Sequence, residues 1–187
     1  MTEAVVVGAS AGAVEALSAL LPALPADFAA AMLIVVHLPP ARKSMLPELF
    51  RSKCRLRVTE AEDKEPIQRG RVYFAPPGYH MLVEAGKTLS LASDDPVLFS
   101  RPSIDVLFES AADAYASRLA AIILTGASQD GANGLAAVLR AGGQGLILRP
   151  KLAYAATLPE AAIARCPEAT VLSLAEIASW LQKLGTP

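Results

Sequence analysis

The sequence predicts an α/β fold: a doubly wound, mostly parallel sheet flanked by helices, with one antiparallel hairpin. Three observations carry that expectation. Short β-like apolar runs alternate with apolar-periodic, helix-like segments along the chain. The first such unit runs from Ala4-Val5-Val6-Val7 through Gly8-Ala9-Ser10-Ala11-Gly12 to the periodic segment Val14–Leu24, and reads as strand, tight glycine turn, helix. Late in the order, Glu84-Ala85-Gly86-Lys87 reads as a hairpin turn, the one antiparallel feature.

In order, strands are predicted near Val5, Leu33, Leu56–Val58, Val72–Phe74, Leu82–Glu84, Leu89–Leu91, Ile122–Leu124, Leu146–Leu148 and Thr170–Leu172. Helices are predicted over Val14–Leu24, Ser44–Ser52, Ser103–Ala116, Ala132–Arg140, Pro159–Arg165 and Leu174–Leu184. Pro22, Pro25, Pro39, Pro40, Pro76 and Pro77 punctuate these elements without the composition shift that marks a linker. No repeat and no low-complexity tract interrupts them, so residues 1–187 read as one domain, long enough for a sizeable core.

Composition narrows the class. The hydrophobic fraction is 53% and the mean hydropathy +0.39, yet no run of about 18 apolar residues exists to span a membrane. The N-terminus has no charged region of the signal-peptide type. Two cysteines, Cys54 and Cys166, lack metal-ligand spacing and fit free thiols in a cytoplasmic protein. A net charge of −1 argues against a nucleic-acid partner. No cofactor and no metal is expected.

Gly8-Ala9-Ser10-Ala11-Gly12 is the most informative stretch. It places Ser10 at a strand exit beside a helix N-terminus, where unpaired N–H groups and the helix dipole favour negative charge. Gly-x-Ser-x-Gly is the form of a nucleophile elbow, whose oxyanion is met by backbone donors. Small residues at such a turn also serve packing or phosphate binding. A dinucleotide site, however, wants glycine at the middle position and an acid at the end of the second strand. Here Ser10 and His37 occupy those places, and both departures point toward hydrolysis.

His37 ends the apolar run Met32–Val36 and is followed by Leu38-Pro39-Pro40, which opposes continuation. Asp130 follows the run Ala120–Leu124 and precedes the helix-like Leu135–Arg140. In a parallel sheet the carboxyl ends of the strands share one edge, so Ser10, His37 and Asp130 occupy positions from which a triad could be assembled. Each also has a simpler reading: His37 as a hydrogen-bonded strand-end residue and Asp130 as a helix N-cap. His80, after Pro76-Pro77-Gly78-Tyr79, reads as a hydrogen-bonded loop histidine.

Several motifs in one order resemble the catalytic domain of the CheB-type chemotaxis methylesterases. They are Val7–Gly12, Val35–Pro40, Gly70–His80, Arg101–Phe108, and Leu124-Thr125-Gly126 to Asp130-Gly131. The resemblance implies hydrolysis of glutamyl methyl esters, with deamidation of glutamines, on the cytoplasmic helices of methylated chemoreceptors (methyl-accepting chemotaxis proteins). It assigns nucleophile, base and orienting acid to Ser10, His37 and Asp130. Ala11, Gly12, Ala127 and Ser128 fall in the loops that support the oxyanion.

Arg42, Lys43 and Arg101 are the candidate substrate contacts. Arg42 and Lys43 belong to a basic run, with Arg51, Lys53, Arg55 and Arg57, that would steer acidic helices. Departures from the family pattern sit near the site. Ala11 and Ala13 stand for threonine and glycine, Ala127-Ser128 for Met-Gly, and Leu148-Arg149-Pro150-Lys151 for an acidic stretch. A serine in place of glycine restricts left-handed backbone, so the expectation is a working but slower esterase. The alternative is an interaction module that keeps the fold without full activity. Only three residues precede the first apolar run, Ala4–Val7, and the expected source of regulation is then a separate receiver protein, unless the chain is a stand-alone member.

Overall fold

Every residue of Ala4–Ala9 and of Ala31–Val36 is buried. Strands covered on both faces read as continuous apolar runs instead of alternating ones, which is the signature of a parallel sheet between helix layers. The computed structural model describes residues 1–38 and 44–185. Its strands are β1 (Ala4–Ala9), β2 (Ala31–Val36), β3 (Arg57–Glu60), β4 (Arg71–Phe74), β5 (His80–Val83), β6 (Leu89–Ala92), β7 (Leu119–Ile123), β8 (Gln144–Leu148) and β9 (Thr170–Leu172). Seven of them form one parallel sheet in the order β3-β4-β2-β1-β7-β8-β9. The other two, β5 and β6, pair antiparallel as the predicted hairpin, its turn closed by Lys87 N–H donating to Glu84 O at 2.8 Å.

From β1 the chain passes to β2 on one side and later to β7 on the other. The exits of these three strands therefore flank the point where strand order reverses, the usual place for a site in an open α/β sheet.

The period-2 alternation of strand side chains divides the core into two layers. Val5, Val7, Met32, Ile34, Phe74 and Ile122 face α1 (Ala13–Leu20), α2 (Leu46–Arg51) and α6 (Leu174–Gln182). Phe50 of α2 stacks on Phe74, with ring centroids 5.9 Å apart. Val6, Leu33, Val35, Ala121 and Ile123 face α3 (Ile104–Tyr115), α4 (Ala132–Arg140), α5 (Thr157–Arg165) and the β5–β6 hairpin. Each fully buried side chain of this size contributes about 1.5–3 kcal/mol of apolar transfer. Among the described residues no helix is long and apolar enough to cross a membrane.

Element boundaries follow local chemistry. Helix α1 stops at Leu20, short of the expected Leu24, and tightens into a 3-10 turn over Leu21–Ala23, because Pro22 has no N–H to give. Ser103 caps α3, its Oγ accepting from Val106 N–H at 3.4 Å. Ser173 and Glu176 form a capping box at the start of α6.

Candidate active site

The exits of β1, β2 and β7 bring Ser10, His37 and Asp130 to one edge of the sheet. Ser10 follows β1 directly, and its N–H donates to Thr125 O at 2.8 Å, stitching the serine to the exit of β7. The next turn enters α1 through Gly12, whose φ of 83° is left-handed. A Cβ at Gly12 would lie 2.5 Å from Tyr154 Cβ, so the loop leaving β8 lies directly over this turn. Thr125 clamps both pieces: its Oγ1 donates to Ala11 O at 2.8 Å and accepts from Ala155 N–H at 2.9 Å. Gly126 is as confined, because a Cβ there would approach Ser10 Cβ to 2.9 Å.

His37 extends β2 by one residue, its N–H donating to Ala9 O at 3.1 Å. Its Nε2 lies 2.7 Å from Asp130 Oδ2. Asp130 is completely buried and receives three further donors: Ser103 Oγ at 2.7 Å, Ile104 N–H at 2.6 Å and Asp105 N–H at 3.1 Å. Burial pushes its carboxyl up, but the hydrogen bonds from His37, Ser103, Ile104 and Asp105 outweigh it and hold the group below the usual carboxylate range. An ionised carboxylate on Nε2 assigns the proton to that nitrogen and leaves Nδ1 as the acceptor. Among the described residues no hydrogen bond joins Ser10 Oγ to the imidazole; they stand on adjacent, hydrogen-bonded strand exits.

Asp130 does not cap its own helix. The N-cap of α4 is Gly131, which has no side-chain bond, and the carboxylate instead faces the first turn of α3. The simple N-cap reading of Asp130 therefore gives way to a contact with a different helix.

His80 is 2% exposed, with Nδ1 accepting from Ser103 N–H and Nε2–H donating to Asp95 O, each at 3.1 Å. Both nitrogens are spent on backbone, as expected of a hydrogen-bonded histidine, but His80 opens strand β5 opposite Ala92 and does not lie in a loop.

Of the candidate substrate contacts, Arg42 and Lys43 lie outside the described residues. Arg101 braces its own loop, its Nη1 donating to Ser93 O and Asp94 O, both at 2.9 Å, while its Nε is buried without a hydrogen-bond partner. Arg51, Lys53, Arg55 and Arg57 are exposed, but Arg57 opens β3 beside Arg71 at the start of β4. That is the amino edge of the sheet, opposite the serine, so the stretch from Arg51 to Arg57 leads away from the strand exits.

Ala127 is exposed, and neither it nor Ser128 has a positive φ. The expectation that serine strains this loop is therefore corrected: the backbone here needs no glycine, and Ser128 Oγ accepts from Asp130 N–H at 3.1 Å, a bond glycine could not make.

Ser103, Asp105, Thr125 and Tyr154 were not singled out as site residues from sequence. Ser103 carries a readable signal, a serine before an apolar-periodic helix, but that signal names the helix it caps. It does not name a carboxylate 27 residues away.

Fold and site define the class: a doubly wound α/β protein with a serine, an imidazole and a buried, ionised carboxylate at the carboxyl edge of its sheet. The family model for CheB methylesterase matches residues 5–181, and the chain belongs to that family. The structure of the Thermotoga maritima CheB methylesterase catalytic domain superposes with a TM-score of 0.93 at 32% identity, covering 98% of this chain and 99% of that one. A Leptospira interrogans relative is 42% identical over 182 residues, 97% of this chain and 94% of its own length; its name gives protein-glutamate methylesterase/protein-glutamine glutaminase provisionally. The protein-glutamate methylesterase/protein-glutamine glutaminase 1 of Anaeromyxobacter dehalogenans is 40% identical over 179 residues, 95% of this chain but 51% of its own length.

Proposed function

We propose that this chain hydrolyses glutamyl methyl esters, and deamidates glutamines, on the cytoplasmic helices of chemoreceptor-type proteins, with Ser10, His37 and Asp130 as the reacting trio. The observation that carries this reading is the His37–Asp130 pair, 2.7 Å apart and anchored at the strand exit next to Ser10. Asp130 holds the Nε2–H tautomer, so Nδ1 takes the Ser10 hydroxyl proton as Oγ attacks the ester carbonyl. The imidazolium returns that proton to the methoxy oxygen, the C–O bond breaks and methanol leaves. Water, deprotonated by the same nitrogen, then cleaves the acyl-serine to glutamate and free Ser10. With glutamine as substrate, ammonia leaves in place of methanol.

The developing oxyanion needs N–H groups that are not already engaged. Ser10 N–H and Gly126 N–H are spent on Thr125 O and Ala155 O. We therefore assign the donors to Ala11 and Gly12 at the amino end of α1, where the helix dipole adds to them, and to Ala127–Ser128 across the cleft. Labelling with a fluorophosphonate tests the nucleophile. Mass spectrometry is expected to find the adduct on Ser10, slowed in His37→Ala and lost in Ser10→Ala. Labelling of Ser10→Ala at another residue and at an unchanged rate would refute the assignment.

A further inference from the structure

We propose that Ser103 is a positioning residue of the hydrolytic centre, holding the Asp130 carboxylate in the orientation from which it directs His37. The proposal rests on reading Ser10, His37 and Asp130 as the reacting trio.

Four donors converge on Asp130, two to each oxygen. Oδ2 is shared by His37 Nε2 and Ile104 N–H, and Oδ1 by Ser103 Oγ and Asp105 N–H. Of the two bonds to Oδ1, the one from Ser103 is shorter, 2.7 Å against 3.1 Å. A hydroxyl has one proton to give and two lone pairs. Ser103 gives the proton to Asp130 and receives Val106 N–H at a long 3.4 Å, so its closer bond is to the acid and not to the helix it caps.

The residue type agrees. Asp and Asn cap helices as well as Ser does. An aspartate at this fully buried position would have no proton to donate and would set a second charge against Asp130. Ser103 is itself pinned, because its N–H donates to His80 Nδ1 and the His80 ring is tied to Asp95 O. The donor that orients the acid is thus fixed from behind by a buried imidazole.

Removing the hydroxyl takes the closer donor from Oδ1, leaves that oxygen held only by Asp105 N–H at 3.1 Å and makes the carboxylate more basic. A more basic carboxylate attracts the imidazolium formed during the reaction more strongly, which sets the direction of the pH readout. The measurement is methanol release from a methylated receptor fragment across pH, for wild type, Ser103→Ala and Ser103→Thr. In Ser103→Ala we expect kcat to fall about tenfold with KM unchanged, a fraction of the roughly 100- to 10,000-fold a positioned acid–base group supplies. The acidic limb of the kcat profile is expected to move upward, and threonine to restore both. Ser103→Cys, a much weaker donor, replaces the alanine variant if that chain does not fold.

Ser173→Ala, which removes the α6 cap away from the site, is the comparator: it lowers Tm without moving kcat or the acidic limb. A Ser103→Ala enzyme with kcat within twofold and an unmoved limb overturns the proposal, as does an equal loss in the threonine variant. If Ser10→Ala also retains full activity, the reading of the trio has failed; if Ser10→Ala is inactive, only the role of Ser103 has.

Discussion

Asp105 and Asp130 serve each other's helices. Asp105, in the first turn of α3, accepts from Gly131 N–H at 2.9 Å and Gly134 N–H at 2.6 Å at the start of α4. Asp130, just before α4, accepts from Ile104 and Asp105 N–H at the start of α3. Two buried carboxylates therefore lock two helices together crosswise, and only Asp130 also meets a histidine. Burial, with the Asp130 charge adding to it and the Gly134 and Gly131 donors opposing it, pushes Asp105 up to about 6. Asp130 is instead held low, because the bonds from His37 and Ser103, with those from Ile104 and Asp105, outweigh its burial.

The signs of these two shifts give opposite pH dependence. A carboxyl raised from 3.8 to about 6 stabilises the fold fully below its ordinary value, and that contribution is lost as pH rises through 6. Asp130, being lowered, contributes above its ordinary value and loses that contribution as pH falls. Asp105→Asn removes the first dependence and keeps an acceptor for both glycines. Its Tm relative to wild type should be more favourable at pH 8 than at pH 5, as followed by calorimetry. A difference that does not change with pH would mean Asp105 does not titrate in this range.

Gly126 has no room to spare beside Ser10. Gly126→Ala sets a methyl 2.9 Å from Ser10 Cβ and 3.0 Å from Leu158 Cδ2, so one of the two must move. Displacing a reacting group by about 1 Å can cost roughly 100-fold in rate. We expect a large loss of kcat with a modest fall in Tm; steady-state kinetics beside a thermal melt would show it, and unimpaired turnover would contradict the placement of Ser10.

His80 should matter less than His37. Its two backbone bonds brace the loop behind Ser103, and glutamine, with both polar atoms at one end, cannot span Ser103 N and Asp95 O together. His80→Gln is expected to lower Tm while keeping most of kcat. A loss as deep as that of His37→Ala would mean the base has been misassigned.

Leu98 and Phe99 form a two-residue tip with φ of 45° and 66°, bridged by Val97 and Ser100. Phe99 is fully exposed, so burial gives nothing back for the left-handed backbone, which costs about 1–2 kcal/mol per residue. Replacing the pair by Asn-Gly, the residues suited to such a turn, should raise Tm by roughly 4–8 °C. A lower Tm would show that these side chains hold the loop.

The architecture was legible because its signals are local. Met32–Val36 and Ala120–Leu124 are apolar throughout since helices cover both faces, and the hairpin announced itself at Glu84–Lys87. The exits carrying Ser10, His37 and Asp130 follow from the same pattern. What resisted reading depends on pairs distant in sequence. Nothing near Asp130 tells that its carboxylate reaches Ser103, and nothing near Arg101 tells that its guanidinium folds back on Ser93 and Asp94. Leu98 and Phe99 hide their turn because neither is a glycine. Arg51 to Arg57 is close to His37 in sequence, yet the chain travels through α2 to the other edge of the sheet.

The most direct measurement is methanol released from a methylated chemoreceptor cytoplasmic fragment by wild type and by Ser10→Ala. We expect steady release by the wild type and none above background from Ser10→Ala, with His37→Ala severely and Asp130→Ala less severely reduced. Full release by Ser10→Ala would contradict the serine mechanism. No release by the wild type, on a fragment that another CheB methylesterase demethylates, would instead leave a chain that keeps the fold and the constellation without the reaction.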